Sequence, residues 1–347
     1  MDTAPSQIWL RRLTLVAIAF TAVVIILGAW TRLADAGLGC PDWPGCYGYW
    51  DVRDAHTYVD QVNREAPGTY REAFTTVPEM VHRYAAGTLG LLVLAITVLV
   101  WKNRRLPGQP LVLGTVLPVL VIFQALLGKW TVTMGLQPTI VMLHLMGGFT
   151  TMILLCWLAA KLHHWPAPRS DAGMSGLRSL GVAALAVMML QSALGGWVAA
   201  NYAAVACTEL PICESGWTER LDFGEAFTFF GHEHDGPDYE FGVLEHEGRT
   251  TIHVMHRFGA IVAFVVTGAL ALVVFRRAHT LFFRNVGLLI GGGLLVQFGL
   301  GVTNVVMNIP LSVAVAHNFG AVVLLVMLVL FLRASHPRRM ERTHGNY

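Results

Sequence analysis

Long apolar runs broken by short polar turns dominate this chain. No Asp, Glu, Lys or Arg occurs between Leu13 and Thr31, between Leu106 and Gly128, between Trp130 and Ala160, or between Asn285 and Leu332. An uncharged run of about 20 residues crosses a bilayer as a helix, because hydrocarbon offers no partner to an unpaired backbone group. The pattern predicts eight spans, at about 13–33, 81–101, 111–131, 139–161, 177–199, 252–275, 283–306 and 311–333. Pro110, Pro138 and Pro310 fall near three of the predicted helix starts, where a missing N–H is harmless. The first apolar stretch follows Arg11-Arg12 and precedes Ala34-Asp35-Ala36, a superficial likeness to a cleaved signal. Its length, and the repeat described next, predict a retained helix.

The pattern also repeats. Gly28, Trp30, Cys40 and Cys46 recur as Gly195, Trp197, Cys207 and Cys213, each 167 residues later. Glu79-Met-Val-His82-Arg83-Tyr84 recurs as His253-Val-Met-His256-Arg257-Phe258, offset by 174, and Gln124, Gly128, Met134, His144 and Gly147 recur as Gln297, Gly301, Met307, His317 and Gly320, offset by 173. Four helices separate equivalent positions, so the two halves share one orientation in the membrane. The expected architecture is therefore an all-α integral membrane protein of two four-helix bundles related by a pseudo-twofold axis along the membrane normal. The halves are residues 1–161 and 177–347, joined by a linker at 162–176. The second half carries an acidic insertion at 214–250 that the first half lacks.

Composition agrees. The chain has 347 residues, 54% hydrophobic and 13% charged, against about a quarter charged in soluble domains. Mean hydropathy is +0.55. Basic residues such as Arg11, Arg12, Lys102, Arg104, Arg105, Arg276 and Arg277 gather at one end of the spans. The positive-inside tendency makes that end cytoplasmic, with both termini there. The two long loops, about 34–80 and 200–251, then lie outside and are rich in Asp and Glu. A formal net charge of +2 gives no reason to expect nucleic acid as a partner.

Four histidines carry the candidate chemistry. His82 and His256 are expected to begin the second and sixth spans, and His144 and His317 to lie under two turns into the fourth and eighth. All four imidazoles then sit at one depth. Two histidines from different helices of one bundle can face each other across its core, as in many cofactor sites, and imidazole is a common axial heme ligand. Ionisable groups within a membrane are expensive and usually functional. Zinc is disfavoured, because each half offers only two histidines and no nearby thiolate.

Arg83 and Arg257 directly follow the first histidine of each half and suit a heme propionate. Gln124 and Gln297 either link helices or line the pockets. Cys40 with Cys46, and Cys207 with Cys213, are equally spaced pairs in loops where disulfides can form. A structural role is sufficient for them, and a redox role for the first pair remains open at this point. Cys156 sits in an apolar helix as packing. Within the insertion, His232-Glu233-His234-Asp235 is read as part of a solvated segment in preference to a metal site. Symmetry breaks at one place: Glu79, one turn before His82, has His253 as its counterpart. A carboxylate beside only one of two heme sites suggests one catalytic site and one electron-transfer site.

Taken together, the Glu-x-x-His-Arg box at 79–83, the four repeated histidines in a duplicated eight-helix frame and the paired loop cysteines resemble the heme A synthase family. The likeness covers essentially the whole chain. It implies oxidation of a ring methyl of heme O to a formyl group, giving heme A for a terminal oxidase. It further implies heme O bound near His82 and His144, and a heme b cofactor between His256 and His317. Glu79 would be the catalytic carboxylate, and Cys40–Cys46 and Cys207–Cys213 would be disulfides. Implied partners are the lipid bilayer, a heme O synthase, terminal oxidase assembly factors and an electron partner that the residues do not specify. The lack of an Arg- and Ser-rich transit segment points to a bacterial plasma membrane. The rival reading is a diheme b-type cytochrome that only passes electrons; it explains the histidines but not Glu79 opposite His253. A duplicated transporter would more naturally show broken helices near the midplane.

Overall fold

The computed structural model describes residues 5–71, 73–163, 171–231, 236 and 238–336. Residues 164–170 of the expected linker, the His232–Asp235 cluster and Arg338, Arg339 and Arg342 lie outside the described residues. Ten α-helices occur among the described residues: α1 (Pro5–Leu33), α2 (Val52–Glu65), α3 (Thr76–Lys102), α4 (Leu111–Thr133), α5 (Pro138–Leu162), α6 (Arg178–Ala200), α7 (Phe223–Ala226), α8 (His246–Arg277), α9 (Leu281–Val306) and α10 (Leu311–Ala334). All but α2 and α7 are long and apolar enough to cross a membrane. These eight match the eight expected spans.

Uncharged sequence alone does not build a bundle in lipid, where burial against a neighbour gains little over burial against acyl chains. Close packing and internal hydrogen bonds must do it. Small residues mark the tight crossings. A Cβ on Gly287 would lie 2.8 Å from the Phe275 backbone nitrogen, so α9 rests directly on the α8 backbone. Hydroxyls inside the helices return to their own carbonyls: Thr14 donates to the Leu10 carbonyl at 2.8 Å and Thr21 to that of Ala17 at 2.6 Å. Each half forms a ring of contacts, α1–α3–α4–α5 and α6–α8–α9–α10, and the rings meet where α1 and α5 touch α10 and α5 touches α6. At the basic end, Arg178 donates to the Leu332 carbonyl and Arg333 to that of Ala160, satisfying helix C-terminal acceptors.

Two boundaries differ from the expected ones with consequences. Helix α8 begins at His246, six residues before the expected start, so His256 lies ten residues into it, about 15 Å along the axis. His256 therefore does not begin its helix. The polar turn His246–Arg249 reads as loop in sequence but continues the helix, because Glu225 of α7 packs against Gly248 and accepts from the Glu245 N–H at 2.6 Å. After the Cys40–Cys46 disulfide, the long segment between α1 and α3 also contains a helix, α2. Asp51 caps it by accepting from the Arg53 N–H at 2.7 Å, and Ala55 and Val59 are fully buried on its inner face.

The acidic insertion is not simply solvated. It crosses to the first half, where the Phe229 carbonyl accepts from Gln137 Nε2 (2.8 Å) and Thr139 Oγ1 (2.5 Å), and the Tyr239 N–H donates to the Gly135 carbonyl (2.7 Å). Arg71 pairs with Asp238 at 2.8 Å and with Glu240, whose side chain is 1% exposed. Removing one partner of a buried ion pair leaves the other uncompensated, at a cost of about 3–5 kcal/mol. Arg71→Ala should therefore free the insertion from the first half. Limited proteolysis should cut within 228–242 at least tenfold faster than in wild type; unchanged protection would show that the Phe229 and Tyr239 contacts suffice.

Candidate functional site

The four histidines are positioned by one local device used four times. Each imidazole lies against a glycine of the preceding membrane helix. A Cβ on Gly28 (α1) would stand 2.8 Å from Cε1 of His82 (α3). The corresponding distances are 3.3 Å from Gly128 (α4) to His144 (α5), 3.1 Å from Gly195 (α6) to His256 (α8) and 3.1 Å from Gly301 (α9) to His317 (α10). A side chain at Gly28 would force the ring to shift, and at the other three positions the ring would have to give by a few tenths of an ångström. The glycines were visible as repeated positions in sequence; their pairing with the histidines was not.

All four histidines line one continuous cavity of about 1360 Å³ that runs through both halves. Single small-ligand pockets usually fall within about 300–1,000 Å³, so the space suits more than one large group. The rings of His82 and His144 stand perpendicular with centroids 6.5 Å apart. Two metal–imidazole bonds of about 2 Å each, with the half-width of each ring, account for that separation. Nδ1 of both residues is buried against the helices, which leaves Nε2 as the nitrogen facing the cavity. In the second half, Nδ1 of His317 lies 3.2 Å from the Gln297 carbonyl and that of His256 lies 3.0 Å from Nε2 of Gln191. An Nδ1–H held by a backbone carbonyl while the other nitrogen points outward, as at His317, is the usual arrangement of a metal-ligating imidazole; at His256 the Gln191 amide N–H faces Nδ1 as a donor and does not supply that acceptor. The donor set therefore fits a bis-histidine metal centre in each half.

Glu79 lines the cavity beside His82 and is 4% exposed. One oxygen pairs with Arg83 and the other accepts from the Cys40 N–H at 2.8 Å. Its counterpart His253 instead accepts from Arg257 Nε at 3.2 Å. The broken symmetry thus places the carboxylate between the first histidine pair and the first disulfide loop.

Arg83 and Arg257 also border the cavity, but their guanidinium groups are engaged elsewhere. Arg83 donates to the carbonyls of Cys40 (3.3 Å), Asp42 (2.8 Å) and Gly45 (2.5 Å). Arg257 donates to those of Cys207 (2.7 Å), Glu209 (2.5 Å) and Ile212 (2.7 Å). These are equivalent positions of the two loops. The residue after each histidine therefore pins the loop above it. No side-chain motif advertises this, because the acceptors are backbone carbonyls.

The loops are closed by Cys40–Cys46 and Cys207–Cys213 disulfides. Among the described residues, the one metal-type cluster joins Cys207, Cys213 and Glu214, and its sulfurs are bonded to each other, leaving no thiolate. Cys156 packs against the apolar core, its thiol 4.0 Å from Met152 Sδ.

A duplicated helical membrane protein with a histidine pair facing a shared cavity in each half is thereby defined. Residues 11–329 match the COX15-CtaA family, described as cytochrome oxidase assembly protein, and the chain belongs to that family. It is 44% identical to the heme A synthase of Shewanella oneidensis over 321 residues, covering 92% of this chain and 94% of that one. It is 26% identical to the heme A synthase of Caulobacter vibrioides over 348 residues, covering 94% and 95%.

Two outcomes follow from this geometry. Gly195→Leu drives a side chain into the His256 ring; if that pair ligates a heme, the variant should lower heme retained there by the purified protein at least tenfold, read by its absorption spectrum, and unaltered pigment would show that the niche is not needed. In the second loop, burial raises the Glu214 carboxyl, but bonds from the Thr208 N–H and hydroxyl outweigh it and hold it at about 2. A carboxyl depressed below its usual value of about 4.3 stabilises the loop above that pH and loses the effect as pH falls toward 2. Reduction of Cys207–Cys213 by an acid-stable phosphine, taken as a ratio to that of a small-molecule disulfide at the same pH, should be pH-insensitive from 7 to 5 and accelerate below about 4; Glu214→Gln should abolish that step.

Proposed function

We propose that the chain is a heme A synthase, oxidising a ring methyl of heme O to the formyl group of heme A. The observation that carries this is the single cavity holding two histidine pairs with a carboxylate at only one of them. The family match to a cytochrome oxidase assembly protein and the names of its relatives support it. In this reading His82 and His144 bind the substrate heme O, and His256 and His317 hold a resident b-type heme. Bound porphyrin supplies the redox chemistry. The chain's own part is orientation, exclusion of water and control of charge. The glycine niches fix the four rings, and the apolar cavity walls keep the reacting edge dry. Glu79, which lines the cavity, would accept a proton from the reacting methyl or balance developing positive charge. Arg83 and Arg257 place fixed positive charge beside the two sites, suited to propionates, while they hold the loops.

The proposed setting is a bacterial plasma membrane, with the basic helix ends and both termini cytoplasmic and the disulfide loops outside. Heme O would come from a heme O synthase, and the product would pass to terminal oxidase assembly. A purely electron-transferring diheme cytochrome would have no use for Glu79 on one side alone.

The test is pigment extraction from membranes of a heme-O-producing host expressing the chain. Wild type should yield heme A. Glu79→Ala should lower it by about 10²-fold or more, the usual size of a lost acid–base group, while b-type heme is retained. Wild type that binds heme B in both halves and forms no heme A under air would overturn the proposal in favour of the cytochrome.

A further inference from the structure

The four histidine niches are not equal. In three of them a glutamine precedes the niche glycine by four residues and a second glycine follows the histidine by three. These are Gln124, Gly128, His144 and Gly147; Gln191, Gly195, His256 and Gly259; and Gln297, Gly301, His317 and Gly320. The second glycine makes room for the glutamine amide: a Cβ on Gly147, Gly259 or Gly320 would overlap Gln124, Gln191 or Gln297 respectively. In the second half both amides grip the histidine's own backbone. Gln191 Nε2 donates to the His256 carbonyl at 3.0 Å, and Gln297 Nε2 to that of His317 at 2.8 Å. The fourth niche has Val24 for the glutamine and Ala85 for the second glycine, around Gly28 and His82.

Ring support does not grade the niches: the imidazoles of His82, His144 and His317 each meet the backbone carbonyl four residues before the niche glycine, at Val24, Gln124 and Gln297. What His82 alone lacks is the glutamine side chain at that position and the glycine that makes room for it. Surrounding groups that fix a ligating imidazole are worth about 10–100-fold in metal binding.

Resting on the reading that each pair ligates a heme, we infer that His82 is built as the detachable ligand of the four, so that the heme of the first half opens a coordination position on the side where Glu79 stands. The second half, gripped at both histidines, keeps its heme closed on both faces. Val24 and Ala85 are then positioning residues by what they omit. The same asymmetry separates a heme that must enter, react and leave from one that must stay.

Carbon monoxide reports this directly, because it binds ferrous heme only where an axial ligand yields. The full-length purified protein is reduced and titrated with carbon monoxide before and after addition of heme O, following the Soret band. Carbon monoxide should bind only after heme O is added, at one heme of the two. Val24→Gln with Ala85→Gly should weaken that binding at least tenfold with the second-half spectrum intact as the check on folding. Gln191→Val, the mirror change, should let carbon monoxide reach the resident heme before heme O is added. Equal carbon monoxide binding at both hemes, none at either, or no response to both sets of substitutions overturns the inference. Failure of heme O to produce a low-spin spectrum that His144→Ala abolishes overturns the underlying reading instead.

Discussion

A titratable ring inside a bilayer needs both space between close-packed helices and a reason to stay there. In this protein a glycine on the neighbouring helix supplies the space. Everything at the site depends on that close approach. It sets the depth of the four rings, turns Nδ1 toward the helices and leaves the other nitrogen toward the cavity. A methyl group on Gly28 or Gly195 would push the imidazole toward the place where a bound group must sit. The apolar walls are, by comparison, replaceable, since one aliphatic side chain serves about as well as another of similar volume.

Above the rings, each half repeats a second device: an arginine next to the histidine gathers backbone carbonyls of a disulfide loop, four for Arg83 and three for Arg257. Helix and loop therefore move as one body at the mouth of the cavity. Against this shared frame, the differences between the halves stand out. Glu79 enters the first loop's hydrogen bonding and His253 does not replace it there. The glutamine grips are complete in the second half and thinnest at His82. Duplication supplied two similar sites, and a few substitutions made them unlike.

Much of this was legible in the sequence. Uncharged runs mark all eight spans, and recurring residues reveal the duplication and all four histidines, because both signals reside in side-chain identity. The start of α8 was not legible, since His246–Arg249 is polar and becomes helical only through its contact with α7. Nor was the docking of the insertion, where a strongly acidic stretch finds Arg71 in the distant first loop and buries Glu240 against it. The arginine–carbonyl contacts were hidden for a different reason: every residue type presents the same acceptor. The glutamine–glycine spacing was present in plain view on α4, α6 and α9. It gained meaning only when the contacts linked it to the helix that follows.

Each niche is made by two membrane helices that are consecutive in the chain: α1 with α3, α4 with α5, α6 with α8 and α9 with α10. A histidine can therefore be sheltered as soon as its own helical hairpin has entered the bilayer, before the bundle closes. The ligand pairs are different in kind. His82 must meet His144, and His256 must meet His317, across hairpins. Biosynthesis thus separates into two stages, in which each hairpin first hides its polar ring during membrane insertion, and docking of one hairpin on the next then creates the place where two rings confront each other.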